Sequence, residues 1–470
     1  MKAAWLALPL LLSGCWSVGP DYQQPAPPPL DNSFQSARRS LMKDDEPPEQ
    51  WWEALHDPVL DGLVKRAITH NHDLRIATAN LQAARATRDV AGAKQFPALD
   101  ASASLARARI SAATQLNNAY VAAPDVNPTE AGLGLSWEID LFGRVRRSVE
   151  AADADSAQVE ALRRQVLTVL IADVARAYID LRGAQLRLEV ADRNARNQRG
   201  TYDLTVTLEE AGRGTDLDVA RARAQLESTI ASIPPLFAQV NADEHQLALL
   251  VGEVPTALDD LLDAHAPLPQ VPEFVAVGSP AALLRRRPDV AAAERGLAGA
   301  TARIGVATAD LFPTISFSAT PSLQALQPGD LGKKGAFAYS VGPSLSLPIF
   351  DLAVYARLRV ADANEQVALA TYEKAVLNAL AETETALDAY DKELARRGSL
   401  AVAAEASGRA ADLAGIRYRF GAENFLTVLD AEQRRLAAED QLAQSQIAVA
   451  ADLVTIYRAL GGGWTQLPNP

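Results

Sequence analysis

The sequence predicts an α+β chain built as a tandem duplication, whose four strands and four long helices require several chains to complete a barrel. Three observations predict this architecture. Landmark motifs recur in the same order about 209 residues apart. Strands with strict apolar–polar alternation occur in both copies. Each copy also carries a proline-free stretch of about 66 residues, enough for a helix of roughly 100 Å.

Composition sets the limits within which these elements must fold. The chain has 470 residues, enough for two or three ordinary domains, and a net charge of −13, which argues against nucleic-acid binding. No run of about 18 apolar residues follows the N-terminus, so no membrane-spanning helix is expected, whereas transmembrane β-strands would give this weak hydropathy signal. Scattered histidines, a single cysteine and the absence of catalytic motifs predict neither an enzyme nor a metal site.

The N-terminus has the pattern of a secretory signal over residues 1–14. Lys2 precedes an apolar stretch and small residues, and these are followed by Cys15, the only cysteine. LSGC (12–15) resembles the bacterial lipobox, which implies cleavage before Cys15 and acylation (palmitate among the acyl groups) of that residue, with no other cofactor expected. Ordinary cleavage that leaves Cys15 as an incidental thiol is the alternative.

Residues 15–50 are interpreted as a lipidated N-terminus and a tether. GPDYQQPAPPPLDNS (19–33) is rich in proline, which favours extended chain over helix. By the lipoprotein sorting rule, Trp16 in place of aspartate implies the outer membrane.

The duplication is read from paired landmarks. Phe96 matches Phe312, Phe142 matches Phe350, Gly212 matches Gly421, and LLVG (249–252) matches ALGG (459–462). The predicted boundaries are a first repeat at 51–262, a linker at 263–280, a second repeat at 281–462 and a C-terminal tail at 463–470. Each repeat consists of a helix, two strands, a long helix, a turn and a second long helix.

The strands are predicted at about 96–109, 131–142, 312–323 and 338–350. In LGLSWEIDLFG (133–143) apolar residues alternate with Gly, Ser, Glu and Asp, which gives one apolar and one polar face. A β-sandwich with a solvated outer face is the interpretation that the strand pattern alone would favour.

The long helices are predicted at 144–209, 215–251, 352–418 and 424–460. A seam with 4-3-4 spacing indicates coiled-coil packing, and its members are Val376, Leu380, Thr383, Leu387, Tyr390 and Leu394. A second seam recurs every seven residues at Val219, Leu226, Ile233, Val240 and Leu247. Pro234-Pro235 must kink or break the helix at 215–251.

The number of strands requires that several chains assemble. Four strands cannot close a barrel, and open edges in lipid would leave backbone groups unsatisfied. If three chains each supply four strands, the barrel has 12 and is wide enough to begin leaving an aqueous lumen. The polar face would line this lumen, the apolar face would meet lipid, and Trp137 would lie at the membrane interface. The helices would extend the channel.

The chain resembles the TolC-like outer-membrane factors, in the lipoprotein (NodT/OprM-like) branch that serves resistance-nodulation-division (RND) efflux systems. The segments that carry the resemblance are CWSVGPDY (15–22), WWEALHDPVLDGLV (51–64), SWEIDLFGRVRRS (136–148), LLRRRPDVAAAE (283–294), IGVATADLFP (304–313), LPIFD (347–351) and YRFGAENFLTVLDA (418–431). The resemblance implies a homotrimer with a 12-strand outer-membrane barrel, a long coiled-coil periplasmic α-barrel and an equatorial domain. It also implies a periplasmic adaptor (membrane fusion) protein and an inner-membrane RND transporter as partners.

The resemblance places the functional residues around two helix-to-helix turns. The expected adaptor contacts are Gly212, Arg213, Gly214, Gly421, Ala422 and Glu423. The expected gate residues are a leucine ring at Leu426, an aspartate ring at Asp430, and Asp218 with its tyrosine partner Tyr418. Three like-charged carboxylates around one axis repel, so an Asp430 ring should hold water or a cation and disfavour anions.

This sequence departs from the family pattern at two of these positions. Thr427 stands where some members have a further aspartate, and Glu423 stands where some have an arginine, which puts that closing link in doubt. Arg285, Arg286 and Arg287 could bind an anion, but their position before a helix start favours a structural role.

The predicted function is therefore a passive outer-membrane exit duct that extends into the periplasm and opens through its partners. Two alternatives remain open: an exit duct for type I protein secretion, and a structural coiled-coil lipoprotein without a pore.

Overall fold

The computed structural model describes residues 17–26, 28–36, 42–43, 45–109, 125–264 and 266–466. The chain divides into two compact units. The first holds residues up to 26 together with 80–160 and 292–373, and the second holds 27–79, 161–291 and 374–470. The predicted signal at 1–14 and Cys15 lie outside the described residues.

The helices are α1 (Pro58–His70), α2 (His72–Ala93), α3 (Arg144–Glu210), α4 (Asp216–Ala231), α5 (Ile233–Leu250), α6 (Asp259–Leu262), α7 (Pro280–Arg286), α8 (Pro288–Ala309), α9 (Leu352–Arg419) and α10 (Phe425–Ala459). The strands are β1 (Met42–Lys43), β2 (Ala98–Leu105), β3 (Ala108–Arg109), β4 (Asp125–Val126), β5 (Thr129–Ile139), β6 (Val275–Ala276), β7 (Thr314–Ala319), β8 (Ser322–Ala325), β9 (Phe337–Ala338) and β10 (Val341–Ser346). Among the described helices, none combines the length and apolarity needed to cross a bilayer.

The first unit contains an antiparallel sheet in the order β2, β5, β7, β10. Strand β8 follows β7 along the same side of β5, and β9 pairs with β8. Thr320 and Pro321 separate β7 from β8, because the proline cannot donate to a ladder. Pro343 lies within β10, at an edge of the sheet where a missing N–H is tolerated.

The register preserves two chemically distinct faces across the whole sheet. Residues directly opposite each other lie on the same face. Apolar partners therefore share one face, as in Leu99 with Leu135, Trp137 with Phe317, and Ile315 with Leu345. Polar or small partners share the other, as in Asp100 with Gly134, Ser136 with Ser318, and Ser316 with Ser344. The prediction of strands with one apolar and one polar face is confirmed.

The second unit holds the large apolar core. Trp51 stacks on Tyr457 with ring centroids 5.1 Å apart, and Tyr178 donates from Oη to Asp57 at 2.8 Å. The predicted seam on α9 is buried at Val376, Thr383, Leu387 and Tyr390 and partly buried at Leu380 and Leu394. Its one polar member is satisfied, because Thr383 Oγ1 donates to the carbonyl of Ala379 at 2.9 Å.

The second long helix of the first repeat is broken, as its proline pair predicts. Helix α4 ends at Ala231, Ser232 lies between, and α5 starts at Ile233 with Pro234-Pro235 in its first turn. Prolines are tolerated there because the first N–H groups of a helix have no acceptor within it. The corresponding helix of the second repeat, α10, is continuous.

Candidate functional site

The two helix-to-helix turns of the second unit share one backbone design. At the end of α3, Gly212 has φ +71°, its N–H donates to the carbonyl of Glu209 at 2.8 Å, and the N–H of Arg213 donates to that of Leu208 at 2.8 Å. At the end of α9, Gly421 has φ +74° and the same two bonds reach Tyr418 and Arg417, both at 2.9 Å. Both are Schellman caps, which require the left-handed conformation that glycine adopts at least cost.

We call Glu210–Thr215 the first tip and Arg419–Asn424 the second tip. Thr215 caps α4 by accepting the N–H of Asp218 at 3.2 Å and donates from Oγ1 to the Asp218 carboxylate at 2.7 Å. Asn424 caps α10 by accepting the N–H of Thr427 at 3.0 Å. Each tip therefore ends one helix with a glycine and starts the next with a side-chain cap, which fixes a tight reversal.

The six residues expected to contact an adaptor lie at these tips. Gly212, Arg213, Gly421 and Ala422 are exposed, whereas Gly214 and Glu423 are partly buried. Gly214 allows close approach, because a Cβ there would lie 3.0 Å from the backbone nitrogen of Glu209. The tips are neighbours, since a Cβ on Gly421 would lie 3.3 Å from Nη2 of Arg213. The geometry thus presents one small surface built from both repeats.

The expected gate residues of α10 lie on one exposed stripe. Leu426 is 57% exposed, the Asp430 side chain 59% and the Arg434 side chain 75%. Spacing of four residues places all three along one face of the helix. The opposite face is buried in a small apolar cluster whose members are Leu208, Ala222, Ala411, Ala414, Tyr418, Phe425, Val428 and Ala431. Stable packing therefore leaves the stripe free of the chain's own core.

Asp218 and Tyr418, expected to act as partners, have separate surroundings in one chain. Asp218 is tied to Thr215 and lies 4.0 Å from the Arg221 guanidinium. Tyr418 packs against Phe425 at a centroid distance of 5.6 Å, and its buried Oη has no hydrogen-bond partner within the described part of the chain. A buried hydroxyl without a partner is costly, so Tyr418 retains an unused capacity to pair.

Glu423 is bound to residues on both sides of the second tip. Its carboxylate lies 3.6 Å from Nε of Arg417 and accepts from Thr427 Oγ1 at 3.1 Å. The acidic side chain of Glu423 therefore stabilises the second tip locally.

A polar network around Glu439 was not predicted from the sequence. Its carboxylate accepts from Asn194 Nδ2 at 2.8 Å, Arg193 Nη2 at 3.1 Å and Arg435 Nε at 3.1 Å, and Arg435 also reaches Asp412 at 3.0 Å. Burial opposes its ionisation, but the three donors hold the pKa of Glu439 below its ordinary value. This network ties α3, α9 and α10 together.

A signal for this network exists in the sequence. Asn194 occupies a buried position of α3, where apolar residues are the rule in a coiled coil, and it is the residue of α3 at such a position that bonds to Glu439. Polar residues at such positions predict hydrogen-bonded partners on facing helices, although the partner helix is unknown until the fold is seen.

The first unit contains a second site, where the N-terminal segment meets the start of α3. We call Ser17–Tyr22 the strap. The Arg147 side chain, 5% exposed, donates to the carbonyls of Val18 at 3.2 Å and Gly19 at 3.3 Å and to Asp21 at 2.7 Å. Space for it comes from Gly305, where a Cβ would lie 2.8 Å from Arg147 Cγ.

The arginine triplet has a structural role at two of its three positions. Arg287 is buried and bonds to Asp289, to Glu382 and to the carbonyl of Ala459. Arg286 donates to the carbonyl of Pro47 at 2.9 Å, whereas Arg285 is exposed. These bonds support the structural interpretation of the triplet.

Known outer-membrane proteins resemble this chain over nearly its whole length. A sequence profile described as "Outer membrane efflux protein" matches residues 63–253 and 280–462, one segment in each predicted repeat. The probable efflux pump outer membrane protein TtgC of Pseudomonas putida is 32% identical, over 97% of this chain and 94% of that protein. The pyoverdine export outer membrane protein OpmQ of Pseudomonas aeruginosa is 33% identical, over 97% and 96%.

Solved structures agree with the sequence relatives. The outer-membrane channel OprN superposes with a TM-score of 0.87 at 42% identity, covering 95% of this chain and 99% of that one. The α+β fold with two repeats, predicted from the paired landmarks, is confirmed by this likeness and by the two-part profile match.

Proposed function

The chain belongs to the outer membrane efflux protein family, and we propose on that basis that three copies assemble into one duct that conducts drugs or other small solutes passively outward. The protein is the outer-membrane channel of an efflux pump, extends into the periplasm and catalyses no reaction. The relatives TtgC and OpmQ are named for efflux and for pyoverdine export, respectively, and not for protein secretion.

The two unpaired edges of the sheet are the main support for assembly of three chains. Strand β2 pairs only with β5, and β10 pairs only with β7, among the strands that the structure describes. Their outer edges carry unpaired N–H and C=O groups, which cannot persist in lipid. Pairing β2 of one chain with β10 of the next satisfies both edges.

The directions of the strands in the sheet support the same closure of the barrel. Successive strands in the order β2, β5, β7, β10 are antiparallel, so β2 and β10 run in opposite directions. A junction between β10 and a neighbour's β2 is therefore antiparallel like every other pair. Three chains give about 12 strands, which leaves room for an aqueous lumen.

The two faces of the sheet fit this role. Both faces are accessible in one chain: Leu99 and Leu345 on the apolar face are 67% and 65% exposed. In the proposed trimer the apolar face contacts lipid acyl chains, and the Ser-, Gly- and Asp-rich face lines the lumen.

The tips are the proposed contact with the partners. Gly212, Arg213, Gly214, Gly421, Ala422 and Glu423 would meet a periplasmic adaptor protein that is served by an inner-membrane RND transporter. Leu426 and Asp430 would narrow the entrance just beyond the tips. Asp218 and Tyr418 would pair in the closed state, which would satisfy the Tyr418 hydroxyl.

The N-terminus is proposed to anchor the chain through acylated Cys15. Two residues later the strap begins, and Arg147 in the first turn of α3 holds it. Only four residues separate α3 from the end of β5. This attachment supports an anchor at the membrane boundary. The gap in the profile match between residues 253 and 280 supports the proposed linker at 263–280.

Electrophoresis and planar-bilayer recording test the proposal together. We expect a band near three times the monomer mass in SDS without heating, which collapses on boiling, and discrete conductance steps in bilayers. A coiled-coil lipoprotein without a pore would show neither, and that result would refute the duct.

A further inference from the structure

Asp430 has a cationic partner in its own chain. Nε of Arg434 lies 2.9 Å from Oδ2 of Asp430, one helical turn further along α10. An acid four residues before a base is the favourable orientation for such a pair. Both side chains are well exposed, so the pair stands on the free stripe and not in the core.

Arg435, the next residue along the chain, has surroundings that differ from those of Arg434. Arg435 is 20% exposed and is held by Asp412 and Glu439 on the packed side of α10. Arg434 points away from this network, to the side on which Leu426 and Asp430 lie. Arg435 thus contributes to the packing of α10, whereas Arg434 lies on the exposed stripe.

We propose that Arg434 is a selectivity-determining residue of the entrance, which neutralises the Asp430 ring and adds a basic ring one turn deeper. This inference rests on the proposed trimeric duct. Three Asp430 carboxylates alone would concentrate cations and repel anions. With three guanidiniums beside them the net charge of the two rings is zero, and the entrance admits solutes of either sign.

The pairing of Arg434 with Asp430 should weaken the binding of multivalent cations to the Asp430 ring. An unpaired ring of three carboxylates would bind a trivalent amine complex strongly, because every charge contributes to the same site. Arg434 competes for the same carboxylate oxygens. The wild-type duct should therefore be only weakly cation-selective and weakly blocked by hexaamminecobalt(III).

Single-channel recording of four proteins tests this. In asymmetric KCl, Arg434→Gln should raise the K⁺-over-Cl⁻ permeability ratio about threefold or more, and Asp430→Asn should lower it by a similar factor. The double variant should return towards the wild-type ratio. Arg434→Gln should also be blocked by hexaamminecobalt(III) at about tenfold lower concentration than wild type.

Arg409→Gln is the matched control, because Arg409 forms a similarly exposed i, i+4 pair with Glu405 on α9. It should change neither the ratio nor the block. If Arg434→Gln behaves like Arg409→Gln while Asp430→Asn shifts the ratio, Arg434 does not act on the acidic ring and the inference is wrong. If wild type conducts no current at all, the duct itself fails, which is a separate outcome.

Discussion

The Glu439 network gives the most quantitative prediction about the coiled coil. Glu439→Ala removes three hydrogen bonds from a carboxylate whose side chain is 15% exposed. Bonds to a charged group contribute about 1.5–3 kcal/mol each when buried. Arg193 is 41% exposed, which reduces its share to about 0.5 kcal/mol, and Arg435 keeps Asp412 as a partner. The loss should be about 3 kcal/mol.

Hydrogen exchange of the intact protein in detergent measures this loss locally. If opening is fast relative to exchange, about 3 kcal/mol corresponds to a roughly hundredfold faster exchange of the amides of α10 around residue 439. Glu405→Ala is the control, because Glu405 and its partner Arg409 are both 73% exposed. Equal exchange in the two variants would show that the network adds no stability and would refute the reasoning.

The same carboxylate predicts a pH dependence. The folded-state pKa of Glu439 lies below its ordinary 4.5, so its stabilisation is complete above that value and is lost as the pH falls through the folded pKa. The difference in melting temperature between wild type and Glu439→Gln should therefore be full at pH 7 and shrink below about pH 4. A difference that grows on acidification would contradict the assignment.

Three further predictions concern other sites. Gly212→Ala should destabilise the first tip by about 1 kcal/mol because φ is +71° there. Gly200→Ala, at an exposed position ten residues before the end of α3, should stabilise the helix by about 0.5–1 kcal/mol. Local hydrogen exchange measures both changes, and equal signs would exclude the conformational explanation. Arg147→Ala should release the strap and make it a site of limited proteolysis, and unchanged resistance would show that other contacts suffice. Burial raises the pKa of Asp243 to about 6, so the protein should lose stability as the pH rises through 6. Thermal melts should show this loss, and Asp243→Asn should abolish the dependence of stability on pH in this range. An unchanged dependence would exclude Asp243 as its source.

Periodicity made much of the fold predictable. Alternation in LGLSWEIDLFG correctly assigns the faces of β5, and the same rule extends to β2, β7 and β10 because opposite residues share a face. Gly212 and Gly421 are predictable for a related reason: a glycine between two long helical patterns favours a left-handed cap. Both signals are local in the chain.

Features that depend on tertiary contacts were not predictable. Arg147 meets the strap across 126–129 residues of sequence, and Glu439 meets Asn194 across 245. No local pattern identifies such partners, because each depends on which helices pack together. The pair of Asp430 and Arg434 is the opposite case, since its i, i+4 spacing was visible in the sequence and only its exposure required the fold.

Cross-linking between sheet edges tests the central claim most directly. One cysteine is placed on β2 (Ser102→Cys) and one on β10 (Ser344→Cys), which both belong to the polar face. Treatment of the membrane-embedded protein with a short bis-maleimide should give covalent dimers and trimers and nothing larger, because three sheets close on themselves. Monomer alone, or a ladder that continues past three chains, would contradict closure of the barrel by three copies.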